Sequence, residues 1–223
     1  TGMIMCQKIF RTFSPGGEIL KIKKLFSTAF CLAALCFLCG CSGIPIEQYY
    51  ALPKPSRESL QLQSLIDAEL ASGGEYASPA GGSHRQPIQL TDLDGDNTEE
   101  AVVFLRSNGS TSIHIYKLHR GSYQKVLTLG GEGSSISAVD YSDFTGDGTN
   151  DLAVSWDAGS GQQMLTVYAL DGWGGDVLLT MGCARFLVSD MDADGRGDLI
   201  VLQCGDGSGS VSLYAFPTNG EPV

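Results

Sequence analysis

The chain has 223 residues, with 14 Lys and Arg set against 25 Asp and Glu, for a formal net charge of −11. Counted from Cys41 onward the balance is nine basic to twenty-four acidic residues, and eleven of those acids are candidate ligands in three short loops. Nucleic-acid binding and attraction to anionic lipid both need basic patches, so this composition argues against them.

Residues 1–19 show no export pattern; reading Gly16-Gly17-Glu18 as a translated ribosome-binding site would place initiation at Leu20. Lys21, Lys23 and Lys24 then precede an apolar run from Leu25 to Leu38. A basic segment followed by a short apolar one is the pattern of a secretory signal. The run is shorter than the roughly 20 residues a membrane-spanning helix requires. Its ending, Leu38-Cys39-Gly40-Cys41, resembles a bacterial lipobox. That resemblance implies cleavage before Cys41, diacylation of its thiol, and a protein lipid-anchored to the membrane of a bacterial cell envelope, facing outward. Residues 1–40 are then leader.

Residues 41–85 read as a tether. Pro53-Lys54-Pro55 is an extended spacer. Leu62, Leu65, Ile66 and Leu70 recur at helical spacing between Ser56 and Gly73-Gly74, which predicts an amphipathic helix over about 57–71. It is expected to pack on the edge of the first sheet, with a partner-binding role as the alternative. Ser72 to Ser83, rich in Gly, Ser, Ala and Pro, reads as a flexible linker.

From residue 86 the pattern changes to short apolar runs with period-two alternation, which predicts an all-β domain over 86–223. Strands are expected at about 87–91, 100–106, 112–118 and 123–129, then 136–142, 151–156, 163–170 and 175–180, then 184–189, 198–203 and 210–216. A loop of one design follows the first strand of each group: Asp92 to Glu100, Asp143 to Asp151, and Asp190 to Asp198. The loop starts lie 51 and 47 residues apart, so the loop belongs to a repeating unit. Oxygen donors at loop positions 1, 3, 5 and 9, with Gly at 4 or 6, suit a tight turn around a hard cation, and calcium is the expected one. The side-chain donors are Asp92, Asp94, Asp96 and Glu100; Asp143, Thr145, Asp147 and Asp151; and Asp190, Asp192, Asp194 and Asp198. The backbone carbonyl at position 7 comes from Thr98, Thr149 or Arg196. Thr145 is a neutral and weaker donor, so of up to three Ca2+ sites the second is expected to be the weakest. Acidic turns without metal are the plainer alternative.

An EF-hand begins in the same way but needs an acid at position 12 and flanking helices. Position 12 here is Val103, Val154 and Val201, each inside a strand-like run, which excludes that reading. The pattern Asp-x-[Asp/Asn/Thr]-Gly-Asp-Gly-x-x-[Asp/Glu] followed by Leu-x-Val resembles the FG-GAP and VCBS-type repeats of calcium-binding β-propellers, including integrin α-subunit heads. The resemblance covers about residues 86–216 and departs from the pattern at Thr145, Ala193, Asn97 and Thr98. It implies four-stranded antiparallel blades, here about 86–131, 134–181 and 183–223, the last without a fourth strand. Three blades are too few to close a propeller, which typically has four to eight, so the reading is of an incomplete one and of a piece of a longer protein. Tyr116, Tyr168 and Tyr214 recur at one place in each repeat and are expected to pack between blades.

Cys183 and Cys204 remain once the leader cysteines and Cys41 are set aside. A disulfide between them is feasible in an exported protein, but two separate small buried residues is the plainer and preferred reading. His84, His114 and His119 show no metal spacing and no Ser or Cys nucleophile in a recognisable frame. The paired acids all fall in the loops, where a cation would hold them ionised, so the chain does not read as an enzyme. The expected function is an envelope-bound calcium-binding module that contacts an unidentified extracytoplasmic protein or glycan. The alternative is a non-catalytic accessory part of a larger envelope enzyme or sensor.

Overall fold

A computed structural model describes residues 54–216 apart from residues 132, 160 and 206. The leader, Cys41 and residues from 217 on lie outside the described residues, together with the signal and lipidation expectations. The one α-helix among the described residues, α1 (Arg57–Ala71), starts at Ser56, whose Oγ accepts the Ser59 N–H at 3.0 Å and satisfies one free donor of the first turn. Leu62 and Ile66, four residues apart, are its buried side chains. No helix among the described residues is long and apolar enough to cross a membrane.

The rest is β-structure in three open antiparallel sheets. The first contains β1 (Glu75–Tyr76), β2 (Ile88–Thr91), β3 (Glu100–Ser107), β4 (Ser110–His119) and β5 (Ser122–Gly130). The second is β6 (Ser135–Ser142), β7 (Asp151–Gly159), β8 (Gln162–Ala169) and β9 (Asp176–Cys183), joined in chain order. The third is β10 (Arg185–Ser189), β11 (Asp198–Gly205) and β12 (Ser208–Tyr214). Tight turns close the hairpins. Asn108-Gly109 and Arg120-Gly121, both residues of each at positive φ, match the right-handed twist of the strands they join. As expected, strands rather than helices flank all three acidic loops.

The first sheet departs from a simple four-stranded unit. β1 and β2 lie end to end along one edge of β3, pairing Glu75 with Arg106 and Tyr76 with Leu105, then Ile88 with Val103 through Thr91 with Glu100. The segment expected to be a flexible linker is therefore part of the fold. Ala77 N–H donates to the Phe104 carbonyl at 3.0 Å, and Ala80 and Gly81 donate to the Ile136 and Ser137 carbonyls of β6 at 3.0 and 2.8 Å. Its small residues serve close backbone approach: a Cβ on Gly81 would stand 3.3 Å from the Ser137 carbonyl oxygen.

Each sheet has two apolar faces, because alternate residues of a strand point to opposite sides. The front face of the first sheet (Ala101, Val103, Leu105, Tyr116) packs on Leu62 and Ile66 of α1. The helix covers this face and also meets the expected edge at β5, where Gln61 accepts the Tyr123 N–H at 2.7 Å and donates to its carbonyl at 3.1 Å. The back face (Leu93, Val102, Phe104, Ile113, Ile115) packs on the front face of the second sheet, formed by Leu152, Val154, Trp156 and Tyr168. The back face of the second sheet (Phe144, Ala153, Leu165, Val167) packs on the front face of the third, with Leu199, Val201, Tyr214 and Phe216. Tyr116, Tyr168 and Tyr214 all lie on front faces, which is why that aromatic recurs.

Cys183 and Cys204 are free thiols, the plainer of the two readings, although only Cys183 is buried. Cys183 ends β9 opposite Gln163, buried in the cluster between the second and third sheets, where desolvation raises its thiol pKa. Cys204 pairs with Gly209 on β12 and is exposed.

Candidate cation-binding loops

The three loops share one hydrogen-bond frame, built by residues at equal spacing. The position 1 carboxylate folds the loop back on itself. Asp92 accepts the Gly95 and Asn97 N–H groups at 2.8 and 2.9 Å, Asp143 those of Gly146 and Gly148 at 2.6 and 2.9 Å, and Asp190 those of Asp194 and Gly195 at 3.2 and 3.0 Å. The position 5 carboxylate accepts the position 7 N–H: Asp96 from Thr98 at 2.8 Å, Asp147 from Thr149 at 2.7 Å and Asp194 from Arg196 at 2.9 Å. Positions 4 and 6 are left-handed in every loop, which explains Gly95, Gly146, Gly148 and Gly195 and makes Asn97 (φ 63°) and Ala193 (φ 62°) the strained exceptions.

The position 9 acids sit at the base of each loop. Glu100, Asp151 and Asp198 are buried at 0%, 0% and 7% exposure, each opening a strand. Each accepts the position 2 N–H, from Leu93 at 2.9 Å, Phe144 at 3.0 Å and Met191 at 2.8 Å. In the second loop both oxygens of Asp151 are engaged by backbone, since Leu170 N–H also donates at 3.2 Å and Thr145 N–H at 3.2 Å. These acids latch the base of the loop before they could close a cage. Desolvation raises the Glu100 pKa and lifts Asp151 to about 6, against the opposing pull of its N–H donors.

One oxygen each from Asp92, Asp94 and Asp96 lie within 4.8 Å of one another, as do oxygens of Asp190, Asp192 and Asp194. The second loop has Thr145 at position 3, its hydroxyl 3.5 Å from Asp143 Oδ1. Asp94 Oδ1 is buried and lacks a hydrogen-bond partner. A tight turn of hard oxygens with an orphaned buried acceptor fits a hard cation of the calcium type.

Sequence reasoning missed Lys117. Its ammonium bonds Asp94 Oδ2 and donates to Asp96 at 2.8 Å and Glu100 at 3.3 Å, with the Trp173 ring centroid 5.5 Å away. Burial opposes the ammonium charge, but the hydrogen bonds of Asp94 and Asp96 and the charge of Glu100 outweigh it and raise its pKa. The Lys117 hydrogen bond, with the Thr98 N–H, in turn lowers the Asp96 pKa. A signal was present: Lys117 follows Tyr116 where the other repeats have Ala169 and Ala215. In the third loop Arg196 donates from Nε to Asp194 at 2.8 Å and from Nη1 to the Phe216 carbonyl at 2.9 Å, which lowers the Asp194 pKa.

The loops stand side by side. Asn150 donates its backbone N–H to the Leu93 carbonyl at 2.6 Å and its side-chain amide to the Asp92 carbonyl at 2.9 Å. Gly197 N–H donates to the Asp143 carbonyl at 2.8 Å. Position 8 of each following loop is thus tied to the start of the loop before it.

The structure also brings together a serine and a histidine that the sequence did not single out. Ser112 Oγ lies 3.1 Å from His114 Nε2, because residues two apart on a strand share a face. Glu69 Oε1 stands 3.8 Å from His114 Nδ1 but accepts from Lys125 at 2.7 Å, and Nδ1 has no hydrogen-bond partner. Buried at 8% exposure and without an orienting bond, His114 is not set up as a general base.

No protein-family model matches the sequence, and no curated protein matches it. Among solved structures the fold is similar to the exotype rhamnogalacturonan lyase YesX, at 20% identity and a TM-score of 0.44, covering 67% of this chain and 32% of that one. It is similar also to the rhamnogalacturonan lyase YesW, at 22% identity and a TM-score of 0.42, covering 67% of this chain and 35% of that one. The chain thus spans about a third of the length of either neighbour, and a likeness of this extent carries no argument about activity.

Proposed function

We propose that this chain is an extracytoplasmic calcium-binding repeat protein, lipid-anchored at Cys41 in a bacterial envelope, whose sheets are propeller-type blades and act as a binding or scaffold module for protein or carbohydrate. The observation that carries the calcium reading is the shared frame: three loops place carboxylates by the same backbone contacts and stand in one row. A cation at each loop would be held by Asp92, Asp94 and Asp96, by Asp143, Thr145 and Asp147, and by Asp190, Asp192 and Asp194. The position 7 carbonyls of Thr98, Thr149 and Arg196, and the outer oxygens of Glu100 and Asp198, are further candidate ligands. The ion would supply charge neutralisation and loop rigidity, a structural role rather than a catalytic one.

Support for a non-catalytic role comes from the engagement of the acids. Those at position 9 are held by backbone donors, and Lys117 and Arg196 neutralise others. Calorimetry of the chain with calcium and with EGTA tests the reading. Calcium should raise the melting temperature by mass action, the native state gaining about 2.7 kcal/mol of stability per site at a hundred times Kd; indifference to both additions would sink it.

A further inference from the structure

The two joints between sheets follow one rule. A back face made of loop position 2, alternate residues of the second strand and alternate residues of the third strand receives the front face of the following sheet. On the first sheet these residues are Leu93, Val102, Phe104, Ile113 and Ile115, all 0% exposed. On the second they are Phe144, Ala153, Ser155, Leu165 and Val167, again all 0% exposed. The same positions of the third sheet are Met191, Ile200, Leu202, Val211 and Leu213, apolar throughout. Here Met191, Val211 and Leu213 stand 57%, 69% and 53% exposed, with Leu187 beside them at 57%. The third sheet also has three strands among the described residues, so the outer edge of β12 lacks the partner that β5 and β9 give the other two sheets.

We infer that this back face and the β12 edge are a docking surface for one further repeat of the same design: a strand that pairs with β12, followed by an antiparallel sheet with an apolar front face. The inference stands on sheet packing and not on what the loops bind. Continuity with the two joints already built specifies the occupant. Its front face carries apolar residues one and three positions beyond the end of its acidic loop and an aromatic on its third strand, as Leu199, Val201 and Tyr214 do. Its position 8 N–H bonds back to the start of the third loop, as Asn150 and Gly197 bond back to Leu93 and Asp143. A second copy of this chain fits less well. Its one front face of this kind not already between sheets lies under α1, and neither joint in the chain sets back face against back face. At the opposite end α1 occupies the place of a preceding sheet, so among the described residues the stack is capped in front and bare behind.

The test inserts a second copy of residues 171–216 between Phe216 and Pro217 of the full chain. The copy should supply a β9-like strand to β12 and a front face to the third sheet. Expected are one cooperative unfolding transition above that of the parent and at least tenfold slower amide exchange in β12. Leu213→Lys should abolish both gains in the extended chain, while the same substitution in the parent should leave its melting temperature unchanged. A separate transition for the inserted unit with β12 exchange unchanged would overturn the inference. Concentration-dependent self-association of the parent, removed by Val211→Lys, would overturn it in favour of a second copy.

Discussion

At the residue scale the most consequential side chain is Lys117, an internal cation placed among the carboxylates of the first loop. An ammonium about 4 Å from a bound divalent ion opposes it by about 2 kcal/mol in water-like surroundings and several times that near a protein surface. Lys117→Met is therefore expected to tighten calcium binding at the first loop about tenfold or more. Titration calorimetry with the other loops disabled by Asp143→Asn and Asp190→Asn checks it; unchanged affinity would show that the ammonium swings clear when the ion binds. Ala193 carries backbone strain at φ 62°, where the second loop has Gly146 at the same position. Ala193→Gly should stabilise the chain by about 1 kcal/mol, read from the denaturant midpoint.

His114 links this scale to pH. Desolvation lowers its pKa from 6.5, with the Lys125 charge acting the same way from β5 and the Glu69 charge on α1 opposing. Below pH 6.5 the unfolded chain takes up a proton that the folded chain resists, so the neutral form's contribution is full above that pH. It is lost as pH falls toward the lowered native value. The prediction is a decline in stability below about pH 6.5 that is shallower in His114→Gln, measured by urea unfolding across pH 5 to 8.

At the scale of elements, α1 is a cap. Its sequence specifies the helix through Ser56, the four-residue spacing of Leu62 and Ile66, and the Gly73-Gly74 stop. What it covers is a tertiary matter: the front face of the first sheet, where a preceding sheet would otherwise sit. Ile66 is 1% exposed, and Ile66→Ala should cost about 2–5 kcal/mol, with tryptophan fluorescence in urea as the readout. A loss well below 1 kcal/mol would mean that the helix is an ornament on the sheet. The segment from Glu75 to Pro87 teaches a related point. Its Gly, Ser, Ala and Pro content suits a mobile linker, yet small residues are also what lets two backbones come close enough to bond, as at Gly81 and Ser137. Composition does not separate those cases.

At the scale of the whole molecule, three sheets stack front to back with their acidic loops in one row. Carboxylates from neighbouring repeats are thereby concentrated at one side of the stack, where Lys117 and Arg196 supply the nearby positive charge among the described residues. A divalent ion in a loop would lower repulsion within its own repeat and between repeats together. Calcium removal is therefore expected to loosen the joints between sheets as well as the loops. Hydrogen exchange in EGTA should show faster exchange at Asn150 and Gly197, whose N–H groups bond across the joints. Exchange confined to loop interiors would limit the ion's role to single repeats.

The amino-acid order alone determined the loops, the strands on either side of them, the helix and the recurrence of Tyr116, Tyr168 and Tyr214, because each rests on contacts within about ten residues or on simple alternation. Tertiary structure alone decided that Lys117 enters the first loop, that position 9 acids serve as buried latches, that Cys183 and Cys204 stay apart, and that one sheet face is capped while another is bare. Those outcomes depend on which sheet lies against which, and local periodicity says which residues turn inward without saying what they will meet.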